Sequence, residues 1–321
     1  MFLWQAEKNC SCVRYWACAS LMGPDALVWM SMESGYTISN FYSSGTGMAV
    51  QQAATLTSIS ASNRGLGHRR MLLSLMVVIF LLWIALPLLF PPLAYPIYWL
   101  TAPLRYLSVF VHEMGHGLAS VLSGGRFYWF QMDEYGGAAI TSGGMESLVL
   151  LGGLLGPALF GSILLLVSTR AEKLRLPYLA LLLFFACGGY YMLKPLFMSS
   201  SDYPLLGQWH VLHLLALVLP VTLILATVYL LRASDTWQRL VLQCLGIVLC
   251  YSAFSDTSYI FRYEVLHNGS FSDARVFAAL FSPFSVQNLP WLIFALYAGL
   301  IALLNFALLG LGVMRALRQP K

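Results

Sequence analysis

Long apolar stretches alternate with short polar ones from Met71 to the end of the chain. The first, MLLSLMVVIFLLWIALPLLF (71–90), carries no charge. It is long enough to cross a bilayer, which takes about 20 apolar residues in a helix. Pro87, Pro91, Pro92 and Pro96 then break or bend the chain. Further spans are predicted over 104–122, 147–168, 177–197, 209–231, 240–261 and 289–313. These runs are continuous, which excludes a transmembrane barrel, whose strands alternate over about ten residues. Between the second and third spans lies GGRFYWFQMDEYGGAAITSGG (124–144). RFYWFQM is aromatic and strand-like and EYGG is turn-like, so a β-hairpin is predicted there. The fold class is an all-α polytopic membrane protein of about seven transmembrane helices, with a small β-hairpin after the second.

Residues 1–70 do not share the pattern. They have no helical period and no long apolar run, and are rich in Ser, Thr and Gly. This segment reads as a disordered N-terminal extension. No charged start leads directly into an apolar core, so it does not read as a secretory signal. A working start at Met71 or Met48 is the alternative reading. Residues 71–314 then form the transmembrane domain and 315–321 a basic tail.

Composition agrees with the pattern. Only 10% of the 321 residues are charged, against roughly 25% in soluble proteins. The net charge of +5 lies mostly between spans or at the ends. Arg170, Lys173 and Arg175, then Arg232 and Arg239, then Arg315, Arg318 and Lys321 fall on one side if seven spans alternate. The positive-inside rule makes that side, and the C-terminus, cytoplasmic. Arg69 and Arg70 then fall outside, a conflict that a start at Met71 or a different span count removes. No basic stripe with interleaved aromatics is present, so nucleic acid is not an expected partner. Cys10, Cys12 and Cys18 precede the spans and Cys187, Cys244 and Cys250 lie within them. They form no ligand or disulfide framework and read as neutral.

One apolar stretch contains an exception, FVHEMGHG (110–117). Positions i and i+4 share a helix face, so His112 and His116 can offer both imidazoles to one metal ion. Glu113, beside the first, can reach a water on that metal. This is the H-E-x-x-H arrangement, with two zinc ligands and a general base. Such an ion lowers the pKa of its water to about 7 and polarises a carbonyl. An ionisable residue inside a span costs roughly 3 kcal/mol, so three within five positions call for a function. A polar cluster bonding neighbouring helices is the plainer alternative, though Ser, Thr, Asn or Gln usually serve that end. Gly115, Gly117, Gly124 and Gly125 allow close helix approach, or access of water and substrate backbone.

VHEMGHGLASVLSGGRF, the strand-like hairpin and LGGLLGPALFG together resemble the site-2 protease family of intramembrane zinc metallopeptidases. The similarity is closest to the compact bacterial and plant branch described as peptidase-like membrane proteins, and covers about residues 71–314. The resemblance implies a zinc site within the membrane that hydrolyses peptide bonds in or near transmembrane segments. It implies that a membrane-associated strand holds unwound substrate by β-augmentation. Here that role falls to residues 127–132, with Phe127, Tyr128, Trp129 and Phe130 as substrate-binding residues. A plain surface loop is the alternative for this segment. The expected partners are membrane lipid and a transmembrane or membrane-associated protein substrate. The expected location is a bacterial inner membrane, multi-pass, with a cytoplasmic C-terminus.

The main branch of that family takes its third ligand from an Asp-Gly pair in a later span. This chain contains no Asp-Gly. Asp256, in CYSAFSDTSYIF, and Asp273, in HNGSFSDARVF, are the candidates. Asp256 is preferred because it is attached to a span, where an ionisable residue is a functional candidate by default. Asp273, placed in the following loop, is the alternative, and either could instead cap a helix. His210 and His213 read as interfacial, His267 as solvent-exposed, and His68 is discounted. The expectation is a zinc metallopeptidase with Glu113 as base and His112, His116 and an aspartate as ligands. An inactive relative acting by binding, or a transporter-like protein, are the alternatives. An intact Glu113 argues against the first, and the lack of an internal repeat against the second.

Overall fold

The computed structural model describes residues 72–81, 85–132, 136–171, 173–197, 211–255, 257–265 and 271–318. The leading segment, Asp256, His68, His210 and His267 lie outside these residues.

The first predicted span is described as two helical segments. Helix α1 (72–80) is followed by the single turn α2 (Leu86–Leu89) and by α3 (Pro91–Leu100). Phe90 breaks the path at φ −130°, ψ 79°. It precedes Pro91, whose ring disfavours the helical region for the residue before it. Pro91 and Pro92 then fit the first turn of α3, where a missing N–H costs nothing. Helix α4 (Ala102–Leu122) carries the H-E-x-x-H segment.

The hairpin forms where it is predicted. Strand β1 (Arg126–Met132) pairs antiparallel with β2 (Gly137–Ser142), with Phe130 opposite Ala139 and Met132 opposite Gly137. Gly124, at φ 89°, turns the chain out of α4, and Gly143 and Gly144, at φ 66° and 78°, turn it towards the next helix. An L side chain avoids such values. Phe127, Trp129, Phe130 and Met132 are buried and anchor β1 against α4 and against α6 (Arg175–Leu193).

Helix α5 (Glu146–Arg170) packs on α4, α8 (Asp235–Ser255) and α11 (Trp291–Leu317). Helix α7 (Val211–Leu230) packs on α6. The single turn α9 (Thr257–Ile260) and the two-turn α10 (Asp273–Leu280) lie between α8 and α11. Leu150, Leu154, Ile260, Ala274, Phe277 and Phe294 form a core that ties α10 to α5 and α11. Asp273 therefore does not lie in a loop, as the sequence suggests, but opens a helix.

Four of the described helical segments are long and apolar enough to cross a membrane: Glu146–Arg170, Arg175–Leu193, Asp235–Ile260 and Trp291–Leu317. Four of the seven expected spans are met among the described residues. Residues 82–84 of the first stretch lie outside the described residues. Arg105, His112, Glu113 and His116 dilute the second. The fifth is described as an apolar helix over Val218–Leu230. On α11, Leu292, Leu296, Leu300 and Leu303 are exposed at helical spacing. A continuous apolar stripe of this kind is stable against lipid and not against water.

Candidate metal centre

Helix α4 presents His112 and His116 one turn apart, with their Nε2 atoms 3.1 Å from each other. His116 Nδ1 lies 2.7 Å from the Val149 carbonyl oxygen of α5. A carbonyl only accepts, so Nδ1 carries a proton, and in the neutral ring Nε2 then presents a lone pair. The Gly-Gly pair of α5 makes this contact possible. A Cβ on Gly153 would overlap the His116 ring, its Cδ2 included at 2.6 Å. A Cβ on Gly115 would run into the Gly152 carbonyl. Small residues on both helices let the backbones approach closely enough for an imidazole to reach across.

The third group is Asp273. Its Oδ2 is 3.2 Å from His112 Nε2 and 3.4 Å from His116 Nε2. These are the three His, Cys, Asp or Glu side chains among the described residues that gather in this way, with their ligand atoms within 4.8 Å of one another. Tetrahedral bonds of about 2.0–2.1 Å place neighbouring ligand atoms roughly 3.3 Å apart, so the spacing fits one zinc-sized ion. Two nitrogens and one carboxylate oxygen also form a donor set that zinc accepts. The bare lone pair of His116 facing a carboxylate oxygen is repulsive unless positive charge lies between them.

Asp273 was the alternative to Asp256, which lies outside the described residues. What brings Asp273 in is a local helix start. Ser272 caps α10, its Oγ accepting from the Arg275 N–H at 3.4 Å, and Asp273 follows as the first helical residue. An acid in that position is favoured by the helix dipole.

Glu113 is 4% exposed and lies under β2. Its Oε1 is 2.6 Å from where a Cβ on Gly137 would stand, and the Ala139 main-chain amide interacts with its carboxylate. The second strand of the hairpin thus covers the glutamate. In β1, Phe127, Trp129 and Phe130 turn into the core, with Phe127 stacked on Tyr191 at 4.2 Å between ring centroids. Tyr128 is the half-buried member. It accepts a hydrogen bond from Ser142 at 3.0 Å, and the Lys194 ammonium lies 5.9 Å from its ring. Cys187, Cys244 and Cys250 are free thiols.

Three contributors were given no role in the site by the sequence-based reading: the Val149 carbonyl, Gly153 and Tyr259. The Gly-Gly pair inside a bulky apolar run was an available signal for close approach. Nothing in the sequence distinguishes Val149 or Tyr259 from other span residues.

Fold and site together define an integral membrane protein with a His-His-Asp centre beside a buried glutamate. The chain belongs to the Peptidase M50B-like family, whose model matches residues 72–312, and so to the site-2 protease group that its motifs resemble. No curated protein and no solved structure matches it.

Proposed function

We propose that this protein is a zinc-dependent intramembrane peptidase that hydrolyses peptide bonds in or near transmembrane segments of membrane proteins. The observation that carries the reading is the convergence of His112 Nε2, His116 Nε2 and Asp273 Oδ2 at the spacing of one tetrahedral ion. These three residues would hold the metal, a donor set of the kind that catalytic zinc sites use. When bound, zinc supplies a Lewis acid for the scissile carbonyl and makes a water acidic enough to ionise near neutral pH.

The remaining steps belong to the chain. The Glu113 carboxylate takes the proton of the attacking water and returns it to the departing amide nitrogen. Its burial under β2 excludes bulk water and strengthens its interaction with nearby charge. The hairpin holds an unwound substrate segment by strand addition. The half-buried main chain of β2 supports that role, because Gly137 lies directly against Glu113. The β1 aromatics serve by keeping the hairpin seated on α4.

Arg170 donates to the Arg315 carbonyl at 3.2 Å, and Arg239 to the Ser168 and Ala171 carbonyls at 2.8 and 2.9 Å. Basic residues of three separate segments thus gather at one end. We read that end, and the C-terminus with it, as cytoplasmic, in a bacterial inner membrane.

The test is detergent-purified wild type against Glu113→Gln on a transmembrane peptide. Both are expected to hold one zinc per chain, and the variant to hydrolyse about 100-fold more slowly or worse. Equal processing by the two would overturn the peptidase reading.

A further inference from the structure

Helix α10 is clamped at its backbone. Ser272 donates to the Arg262 carbonyl at 3.0 Å. Arg275, buried and with no acidic partner among the described residues, donates to the carbonyls of Tyr263, Val286 and Gln287. Its guanidinium is stacked on the rings of Tyr263 and Phe271 at 4.1 and 4.3 Å. These contacts fix where Asp273 starts. They do not fix the rotation of its carboxylate about Cα–Cβ and Cβ–Cγ.

Tyr259 supplies what is missing. Its hydroxyl oxygen lies 3.1 Å from Asp273 Oδ2 and 3.3 Å from the Asp273 backbone nitrogen. The backbone N–H can only donate, so the phenol oxygen accepts from it and gives its own hydrogen to Oδ2. As the first residue of α10, Asp273 has an N–H with no partner inside the helix. One phenol therefore satisfies that orphan donor and engages the carboxylate oxygen that faces both imidazoles. The ring stands edge-on to His112, with centroids 6.2 Å apart and planes at 83°.

We propose that Tyr259 is the positioning residue of the third metal ligand: its hydroxyl aims Asp273 Oδ2 at the two imidazoles and leaves one lone pair of that oxygen for the ion. The proposal rests on the metal centre described above. Hydrogen-bond partners of this kind set ligand orientation, and losing one typically weakens metal binding by about 10–100-fold.

The experiment measures zinc affinity by chelator competition, and the visible spectrum of the cobalt(II)-substituted protein, for wild type, Tyr259→Phe and Tyr178→Phe. Tyr259→Phe keeps the ring and removes one oxygen. It is expected to bind zinc about 10–100-fold more weakly and to shift the cobalt bands. Tyr178→Phe removes another buried phenol hydrogen bond, 2.8 Å to the Gln238 carbonyl, between helices that carry none of the three ligands. It is expected to leave both readouts at wild-type values. Wild-type affinity and spectrum in Tyr259→Phe, or equal weakening in Tyr178→Phe, would overturn the positioning role while leaving the metal centre standing. A wild type that binds no zinc would bring down the metal centre and the proposal together. Where Tyr259→Phe does not purify folded, 3-fluorotyrosine at position 259 keeps the hydroxyl. Its fluorine resonance must then move on zinc addition, and a resonance indifferent to zinc would overturn the proposal.

Discussion

Gly153→Ala tests the packing on which the metal centre depends. The added methyl would stand inside the van der Waals envelope of the His116 ring, 2.6 Å from Cδ2 and closer still to Nε2 and Cε1. An ordinary contact is about 3.5 Å or more, so roughly 1 Å of movement is required. Two escapes exist. The ring can rotate away, which gives up its 2.7 Å bond to Val149 and moves Nε2 off the ligand set. Otherwise α5 can recede, which opens the Gly115–Gly152 contact and strains the core around Leu150 and Leu154. Overpacking of this kind costs about 1–3 kcal/mol. Metal bonds tolerate only about 0.2 Å, so that cost falls on zinc affinity. At 1.4 kcal/mol per decade it corresponds to about a 5- to 150-fold weaker Kd. Chelator competition on detergent-purified protein reads the change directly, with no substrate needed. Gly156→Ala is the control on the same helix, because a Cβ there meets the Val111 carbonyl at 3.4 Å, an ordinary contact. Wild-type zinc affinity in Gly153→Ala would refute the account of how α5 shapes the site.

The choice of third ligand is open to a paired substitution. Asp273→Asn is expected to release zinc, because two remaining ligands rarely hold it, whereas Asp256→Asn is expected to keep it; elemental analysis showing the reverse would restore Asp256. Arg275→Met removes donors to three carbonyls while roughly keeping the volume of the side chain. Leaving such groups unpaired costs about 1–3 kcal/mol each. A clear fall in the thermal midpoint is therefore expected, and an unchanged midpoint would show that the clamp contributes little.

Much of this protein is written in local order along the chain. Uninterrupted apolar runs dictate membrane helices because a bilayer leaves the backbone no other way to satisfy its hydrogen bonds. The aromatic run and the glycines around it dictate the hairpin. The i, i+4 spacing of His112 and His116 puts two imidazoles on one face by helix geometry alone. These features depend on residues within a few positions of one another. The rest of the site comes from contacts at long separation. His112 and Asp273 are 161 residues apart, and no periodicity links them. The preference for Asp256 followed a sound rule about ionisable residues in spans. The fold builds a short capped helix from SFSDARVF and brings Asp273 to the imidazoles against α5 and α11, while Asp256 lies outside the described residues. The His116 tautomer rests on a carbonyl, and the direction of the Asp273 carboxylate on a phenol. Neither partner has a sequence signature, because a main-chain oxygen is present at every residue and a tyrosine is ordinary in a membrane helix. Their effect arises only where α4, α5, α9 and α10 meet.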